Sequence, residues 1–209
     1  MSHARFDEAA RVALTDCVGD IEKTSDAELV LIVRARSGSY RHADYLFGSI
    51  LAFVGLNFLL FSPVSFHAYW VAIDVALLFA AGAFLSSRSK FVRYLLTTSK
   101  YRKEAVRTGA AAMFYEAGIA NTEAEMGVLI YLSLLERRLE LIADRGVLKA
   151  VPPLDWNRIV FELHQAGEEP DPESLLKGLR ELGDLLAQHL PATGENPNEL
   201  PDMPRFELK

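Results

Sequence analysis

The sequence has a single cysteine and one long region that is almost free of charge. Cys17 is the only cysteine among 209 residues, so no disulfide can form within the chain. A lone thiol is typical of proteins from a reducing compartment. Between Tyr45 and Ser87, Asp74 is the only formally charged residue. Helices of soluble proteins usually keep a polar face, so this region is not patterned like the surface of a soluble domain.

Sequence signatures of common catalytic sites are also missing. The chain has no glycine-rich phosphate loop with lysine, no HExxH motif, no serine elbow and no Cys–His pairing. The five histidines do not show the spacing of metal ligands: His3, His42, His67, His164 and His189. The sequence therefore identifies no catalytic residue and favours a binding or anchoring role over catalysis.

The uncharged region contains two apolar runs, Leu46 to Phe61 and Phe66 to Leu85. A hydrocarbon core about 30 Å thick takes roughly 17–25 helical residues. The second run has this length, and the first reaches it when Ala43 to Tyr45 are included. The short linker contains Pro63, which ends a helix and makes the two runs antiparallel neighbours. The sequence predicts a transmembrane hairpin over 43–87; the alternative is two buried helices of a soluble all-α protein.

Basic residues flank the two runs and are missing from the linker between them. They are Arg34, Arg36 and Arg41 before the first run, and Arg88, Lys90, Arg93, Lys100, Arg102, Lys103 and Arg107 after the second. We call this set the basic collar. Because Lys and Arg mark the cytoplasmic side, we expect an inner (plasma) membrane protein with both termini in the cytoplasm. The collar either is only this topology signal or also attracts anionic lipid headgroups.

The C-terminal half of the chain is acidic. From Ala110 to Lys209 there are 9 Lys and Arg against 18 Asp and Glu, a net charge of −9. A surface of this sign repels phosphate backbones, so we expect no nucleic-acid partner.

Outside the hairpin, the hydrophobic pattern alternates between helices and strands. Phe6 to Lys23 has the spacing of an amphipathic helix, and Leu29 to Ala35 is typical of a strand buried on both faces. A mostly helical stretch follows the hairpin. Gly127 to Leu134 then predicts a second buried strand, and a β-hairpin turns near Glu136 and Arg137.

Two amphipathic helices and a polar tail complete the chain. Leucines line the second of these helices at Leu175, Leu179, Leu182, Leu186 and Leu190. Residues 192–209 are rich in Pro, Asn and Glu and predict a flexible acidic tail. The two buried strands can pair in parallel, with 1–42 and 88–191 forming one domain. The predicted fold is an α/β (α+β) sandwich, a mixed sheet flanked by helices and interrupted by the two-helix hairpin.

Asp74 introduces a carboxylate into the second apolar run. Intramembrane acids usually face a bundle interior and pair. With the turn midpoint near Val64, Asn57 and Asp74 differ in depth by about three residues, roughly 4–5 Å. We predict a polar pair in which protonated Asp74 donates to Asn57; a proton or ion pathway is the alternative. Small residues line each helix: Gly48, Ala52 and Gly55, then Ala68, Ala72, Ala76 and Ala80. One face can close the hairpin while another meets a second copy or a membrane-protein partner.

The stretch from Ala117 to Val147 resembles the TPM domain family. The matching motifs are NT (Asn121 and Thr122), GVLIYLS, ER (Glu136 and Arg137) and IADRG. Farther along, the chain is similar to a bacterial membrane branch of that family at Trp156, at AQHLP ending at Pro191, and at NELPD from Asn198 to Asp202. The resemblance covers nearly all of the chain apart from the hairpin.

The resemblance implies a compact α/β sandwich. Some members are credited with weak acid phosphatase activity and some bind calcium, while others assemble, repair or modulate membrane complexes. None of the matching motifs is a catalytic signature. Thylakoid members have the domain in the lumen, whereas the charge rule predicts a cytoplasmic domain here.

Oxygen-bearing side chains cluster around the start of the second strand, at Asn121, Thr122, Glu123, Glu125 and Asp144. If the strands pair as predicted, the loop before Gly127 and the end of the following strand lie at one sheet edge. Several oxygens could then converge there, as Ca²⁺ requires. The alternative is a solvated acidic loop in which Asn121 or Thr122 caps a turn.

Two functions remain candidates. The first is a membrane-anchored module that binds a partner or helps to maintain membrane complexes. The second is a weak, calcium-dependent acid phosphatase.

Overall fold

The computed structural model describes residues 6–63, 66–194, 199–200 and 204–208. The chain forms two compact units, which we call the sheet unit (Met1–Ser37 with Lys103–Lys209) and the hairpin unit (Gly38–Arg102). The described residues contain eight α-helices, a 3-10 turn and four strands. In chain order these are α1 (Glu8–Thr24), β1 (Glu28–Arg34), α2 (Arg41–Phe61), α3 (Ala68–Arg88), α4 (Lys90–Leu95), α5 (Ser99–Glu116), the 3-10 turn (Ile119–Asn121), β2 (Gly127–Ser133), β3 (Arg138–Ala143), α6 (Arg145–Ala150), α7 (Pro153–Glu168), α8 (Pro172–His189) and β4 (Arg205–Glu207).

The four strands form one mixed sheet in the order β3-β2-β1-β4. β1 and β2 run parallel, from the Glu28–Gly127 pair to the Arg34–Ser133 pair, and β3 returns antiparallel to β2. Both central strands are rich in Val, Ile and Leu and are buried along almost their whole length. Such composition suits a strand that is covered on both faces. The predicted mixed sheet, its parallel pair and its β-hairpin are confirmed.

Helices cover both faces of the sheet. One face, which includes Leu31 and Ile130, packs against α1, α7 and α8. The opposite face, which includes Ile32 and Leu129, packs against α5. The predicted leucine face of α8 is confirmed, since its members are all buried: Leu175, Leu179, Leu182, Leu186 and Leu190. This arrangement is the predicted sandwich of helices around a sheet.

Part of the segment predicted as a flexible tail belongs to the sheet. Arg205–Glu207 forms β4, which pairs in parallel with the end of β1. The Arg34 guanidinium lies 2.7 Å from the Glu207 carboxylate across this pair. Backbone pairing with an otherwise open edge of β1 explains why so short and polar a segment is ordered as a strand. Residues 195–198 and 201–203 of the predicted tail lie outside the described residues. They include most of the NELPD motif.

The hairpin unit consists mainly of α2 and α3, joined by residues 62–67. Both helices are long and apolar enough to cross a membrane, by length and composition. They run antiparallel and touch backbone to backbone, because a Cβ added at Gly82 would lie 2.9 Å from the Gly48 Cα. The predicted hairpin, 43–87, is shorter than the hairpin unit. The unit also includes α4, whose Arg93 binds Asp44 of α2.

Candidate functional site

The five residues predicted to bind calcium lie along the edge of the sheet at which β1 and β2 begin. The Asp144 N–H donates to the Gly127 carbonyl at 2.9 Å, so the end of β3 adjoins the start of β2. The Gly146 N–H donates to the Glu125 carbonyl at 3.0 Å. The predicted meeting of the loop before Gly127 with the end of β3 is therefore present.

Several polar groups at this edge already have structural roles. Asp144 Oδ1 accepts a 2.7 Å hydrogen bond from the Arg145 N–H and caps α6. The Glu123 N–H donates to a Glu199 carboxylate oxygen at 3.0 Å. The Glu125 carboxylate lies 3.9 Å from the exposed Lys149 Nζ. Asn121 is exposed at the end of the 3-10 turn.

Two oxygens of the predicted set are buried without a hydrogen-bond partner among the described residues. They are Thr122 Oγ1 and Asp144 Oδ2. A buried oxygen without a partner is costly, and a hard cation such as Ca²⁺ would satisfy it. Within the described part of the chain, however, no three His, Cys, Asp or Glu side chains are grouped so that they could hold a metal ion. The oxygen chemistry fits calcium, but the carboxylates described at this edge do not form a cluster.

The opposite edge of the sheet holds a polar network that the sequence did not predict. The Ser37 hydroxyl lies 2.9 Å from the Tyr131 hydroxyl and donates to the Ser133 hydroxyl at 2.8 Å. The Ser133 hydroxyl in turn donates to the Glu136 carboxylate, which also accepts the Ser37 N–H at 2.9 Å. Ser133 is 0% and Glu136 is 2% exposed. Arg137, with a φ of 52°, completes the turn between β2 and β3 that was predicted at these two residues.

This network fixes the end of β1 to the β2–β3 turn. The Leu134 and Leu135 N–H groups extend the connection by donating to the carbonyls of Arg34 and Ala35 at 3.0 and 3.1 Å. Because the Ser133 hydroxyl is fully buried, the arrangement suits a structural role. The sequence signal that could have indicated the network is the occurrence of Tyr131 and Ser133 in an apolar strand, with Glu136 three residues after its end.

A cleft of about 440 Å³ lies in the sheet unit and is lined by residues of α1 and α8, including Asp16, Cys17 and Arg180. Cys17 is 9% exposed, and burial raises the pKa of its thiol. Its predicted place on the apolar face of α1 is confirmed, because Cys17 belongs to the main core cluster.

Small residues form the contact between α2 and α3. A Cβ added at Gly48 would lie 2.7 Å from the Phe79 carbonyl oxygen, and one added at Gly55 would lie 2.1 Å from Leu78 Cδ1. The first of the predicted small-residue faces, Gly48 to Gly55, therefore closes the hairpin. The alanine face does not, since Ala72, Ala76 and Ala80 are exposed; the side chain of Ala68 lies outside the described part.

Asp74 is half-buried and lies four residues from Leu78 and eight from Gly82, on the helical stripe that touches α2. Counting along the helices from the Gly48–Gly82 contact brings Asn57 level with Ile73, next to Asp74. The two polar residues are thus closer in depth than predicted; Val64, the predicted midpoint, lies outside the described residues. The Asn57 amide donates to the Phe53 carbonyl at 2.8 Å. The hydrogen bond from Asp74 to Asn57 stays a prediction.

An ion pair that the sequence did not predict lies at the other end of the hairpin. Arg93 binds Asp44 through two hydrogen bonds, Nε to Oδ1 at 3.0 Å and Nη2 to Oδ2 at 2.6 Å. The Ser86 hydroxyl also donates to Asp44 Oδ1, at 2.9 Å. The Arg93 and Asp44 side chains are 16% and 8% exposed, and the hydrogen bonds that Arg93 donates to Asp44 raise the pKa of its guanidinium. The pair connects α2 with α4, and Ser86 connects α3 to it.

The chain matches no protein-family model and no curated protein sequence. Among solved structures, it is similar to the NMR structure of the BA42 protein from the psychrophilic bacterium Bizionia argentinensis. The TM-score is 0.55 at 15% sequence identity, and the match covers 96% of this chain and 94% of that one. At this identity the likeness shows a shared fold.

Proposed function

We propose that the chain is a membrane-anchored module of the TPM domain type, whose sheet unit binds a partner or assists in maintaining membrane complexes. The observation that carries this proposal is the hairpin unit. It interrupts the sheet unit between Ser37 and Lys103, and many of its exposed side chains are large and apolar.

Exposure of the hairpin supports a lipid environment over the alternative of two buried soluble helices. Phe53, Phe58, Leu77 and Phe84 are 67%, 70%, 62% and 59% exposed. Core helices of soluble proteins bury such residues, because exposing them to water forfeits roughly 1.5–3 kcal/mol for each side chain. A bilayer core would cover them.

The charge distribution supports an inner (plasma) membrane location with both termini in the cytoplasm. The basic collar lies before α2 and after α3, and the connecting segment from Ser62 to His67 has no Lys or Arg. One exposed face of α3 supports a partner. The exposed alanines of α3 offer a smooth surface to a second copy or another membrane protein. Exposed cations of the basic collar, such as Arg88, would contact anionic lipid.

Membrane fractionation followed by cross-linking tests this proposal. The full chain should stay with membranes after washing in alkaline carbonate, and protease should reach the C-terminus only from the cytoplasmic side. A cross-linker applied before extraction in mild detergent should trap the chain with a second copy or another membrane protein. Release by carbonate would refute the anchor. A chain that is repeatedly recovered alone and monomeric would refute the partner role.

The second candidate function is a weak, calcium-dependent acid phosphatase. The observation that favours it is the burial of Thr122 Oγ1 and Asp144 Oδ2 without hydrogen-bond partners. With calcium bound, Thr122 and Asp144 would supply ligand oxygens, and the cation could polarise a phosphate ester.

A calcium titration followed by melting temperature tests the second candidate, because a ligand that binds only the folded state raises that temperature. Asp144→Asn removes the charge but keeps an oxygen to cap α6. Asp171→Asn is the matched control, since Asp171 Oδ2 caps α8 by accepting the N–H groups of Glu173 and Ser174. Calcium should stabilise the control and not the Asp144 variant. Phosphatase activity that survives Asp144→Asn would remove this site from consideration.

A further inference from the structure

Helix α4 begins where the second apolar helix ends. Ser89 alone separates α3 from α4, and its backbone is extended, with φ −104° and ψ 108°. The Ser89 hydroxyl accepts a 3.3 Å hydrogen bond from the Val92 N–H and so caps the new helix. If α3 spans the bilayer, α4 starts at the membrane surface.

Two arginines hold one side of α4 against the rest of the hairpin unit. Arg93 forms its paired hydrogen bonds with Asp44. Arg102 Nη1 donates to the carbonyls of Tyr94 and Thr97, both at 2.7 Å, and its guanidinium lies 3.9 Å from the centre of the Tyr94 ring. These contacts determine which side of α4 stays outside.

The outward side of α4 is apolar. Phe91 is 72% and Leu95 is 68% exposed. They are four residues apart, so they lie on the same face of the helix. Phe91 and Leu95 therefore form an apolar ridge on the surface of the hairpin unit.

Basic side chains lie beside this ridge. Lys90 is exposed, and Arg88 extends its guanidinium over the Phe84 ring at 5.1 Å from the ring centre. A short helix with an apolar face and flanking cations is typical of segments that lie in the headgroup region of a bilayer. Anionic headgroups attract such juxtamembrane cations, and the acyl chains just below cover apolar side chains.

We infer that α4 is an interfacial helix, which inserts Phe91 and Leu95 among lipid chains while Arg88 and Lys90 contact anionic headgroups. This inference rests on the proposed function, because it requires that α2 and α3 span the bilayer. The apolar ridge and its flanking cations fit a lipid leaflet. The proposed membrane-spanning helix α3 ends only one residue before α4 begins, so it already holds α4 at that leaflet. The Asp44–Arg93 pair would then hold α4 against α2 at that leaflet.

A fluorescent probe at single positions tests the inference in the full chain. Cys17→Ala removes the only cysteine, and Phe91→Cys then carries an environment-sensitive nitrobenzoxadiazole label. Tyr115→Cys is the matched control, because Tyr115 is also an aromatic residue of a helix and is also 72% exposed. Leu77→Cys, at a position in α3 that is 62% exposed, reports on the spanning helix itself. Each labelled chain is reconstituted in phosphatidylcholine vesicles containing phosphatidylglycerol, with or without lipids brominated on their acyl chains.

We expect brominated lipid to quench the labels at positions 77 and 91 several-fold more strongly than the label at 115, and the emission at 91 to shift to the blue. Quenching at 77 with a label at 91 that behaves like 115 would overturn the interfacial helix and leave the membrane anchor standing. In that case the ridge would face water or a protein partner. No quenching at 77 would overturn both proposals. Circular dichroism of each labelled chain checks that the variants are folded.

Discussion

The two units bury opposite kinds of side chain. In the sheet unit most of the fully buried side chains are large and apolar; Leu31, Ile32 and Leu129 are at most 1% exposed. In the hairpin unit, the residues that α2 buries are small or polar, namely Ala43, Asp44, Gly48 and Ala52. Many of its large apolar side chains are exposed instead, among them Phe53, Phe58 and Leu77.

This difference corresponds to two solvents. Water drives large apolar side chains into the interior of the sheet unit. In lipid no such force acts between helices, and association depends on close backbone approach and on hydrogen bonds between helices. The contact of Gly48 with Gly82 and the Asp44–Arg93 pair are contacts of that second kind. Substitutions of one type should therefore have opposite consequences in the two units.

The largest effect is expected from Asp44→Ala. Both members of the Asp44–Arg93 pair are largely buried, and removing one partner of a buried pair leaves an uncompensated charge at a cost of about 3–5 kcal/mol. The variant should destabilise the hairpin unit in mild detergent. Trp70 lies in that unit and Trp156 in the sheet unit, so Trp156→Phe leaves Trp70 as the reporter of its unfolding.

Two controls sharpen this prediction. Asp20→Ala breaks an exposed pair with Lys23, whose side chains are 75% and 73% exposed, and should change nothing measurable. The double variant Asp44→Leu with Arg93→Met removes both charges and should recover much of the lost stability. If Asp44→Ala unfolds like the parent chain, the pair does not hold the hairpin together.

The second prediction concerns large apolar residues, which should matter for stability in one unit only. Leu129→Ala removes a fully buried side chain from β2 and should cost the sheet unit about 2–5 kcal/mol. Phe58→Ala removes a larger side chain that is 70% exposed. In detergent its surroundings are apolar in both folded and unfolded hairpins, so the change should stay within about 0.5 kcal/mol.

Chemical unfolding of both variants, followed through Trp156 for the sheet unit and Trp70 for the hairpin unit, checks this contrast. A Phe58→Ala loss as large as that of Leu129→Ala would mean that the hairpin has a conventional water-excluding core. The membrane interpretation would then fail.

The same contrast shows what could be predicted from the sequence. Continuous apolar runs located both central strands and both hairpin helices, because burial on all sides leaves a local signal. The Ser37–Glu136 and Asp44–Arg93 contacts join residues that are far apart in the chain, so no periodic pattern in the sequence predicts them. β4 was missed for a similar reason. Three residues of a polar segment become a strand only because the edge of β1 is available to pair with them.

At the candidate calcium edge, the sequence predicted which residues approach one another but not what they do. The pairing of β2 with β3 brings Asp144 next to Gly127, as the strand pattern implied. The capping role of Asp144 and the contact of Glu123 with Glu199 depend on loop conformation and on the return of the C-terminal segment. Neither is encoded in local spacing.

The third prediction compares one substitution in two helices. Gly48→Ala places a Cβ 2.7 Å from the Phe79 carbonyl oxygen, so the helices must separate. We expect a net loss of about 1–3 kcal/mol, typical of overpacking. At Gly19 in α1 an added Cβ has nothing within 4 Å. Gly19→Ala should therefore stabilise the sheet unit by about 0.5–1 kcal/mol, through the lower backbone entropy of alanine.

Melting temperature in mild detergent, again read separately through Trp70 and Trp156, distinguishes the two changes. A lower melting temperature for Gly48→Ala together with a higher one for Gly19→Ala would support backbone contact between α2 and α3. If Gly48→Ala is neutral or stabilising, the helices do not approach as closely as the structure shows.

The smallest effect is expected at Cys17, where the sheet unit shields a titratable group. Burial raises the pKa of this thiol above its ordinary value, which is about 8.5 in an unfolded chain. The folded state therefore holds its proton more tightly than the unfolded state. This protonation contributes to the free energy of unfolding. The contribution is fully present below a pH of about 8.5 and is lost as the pH rises through the pKa of the folded state.

Cys17→Ala should consequently flatten the alkaline part of the curve of melting temperature against pH, while leaving the part near neutral pH parallel to that of the parent chain. Iodoacetamide should alkylate the native thiol more slowly than it alkylates glutathione at the same pH, and unfolding should remove the difference. A native thiol that reacts as fast as glutathione would show that the core around α1 admits water. The contrast between a dry sheet unit and a lipid-facing hairpin would then be weaker than the burial of their side chains indicates.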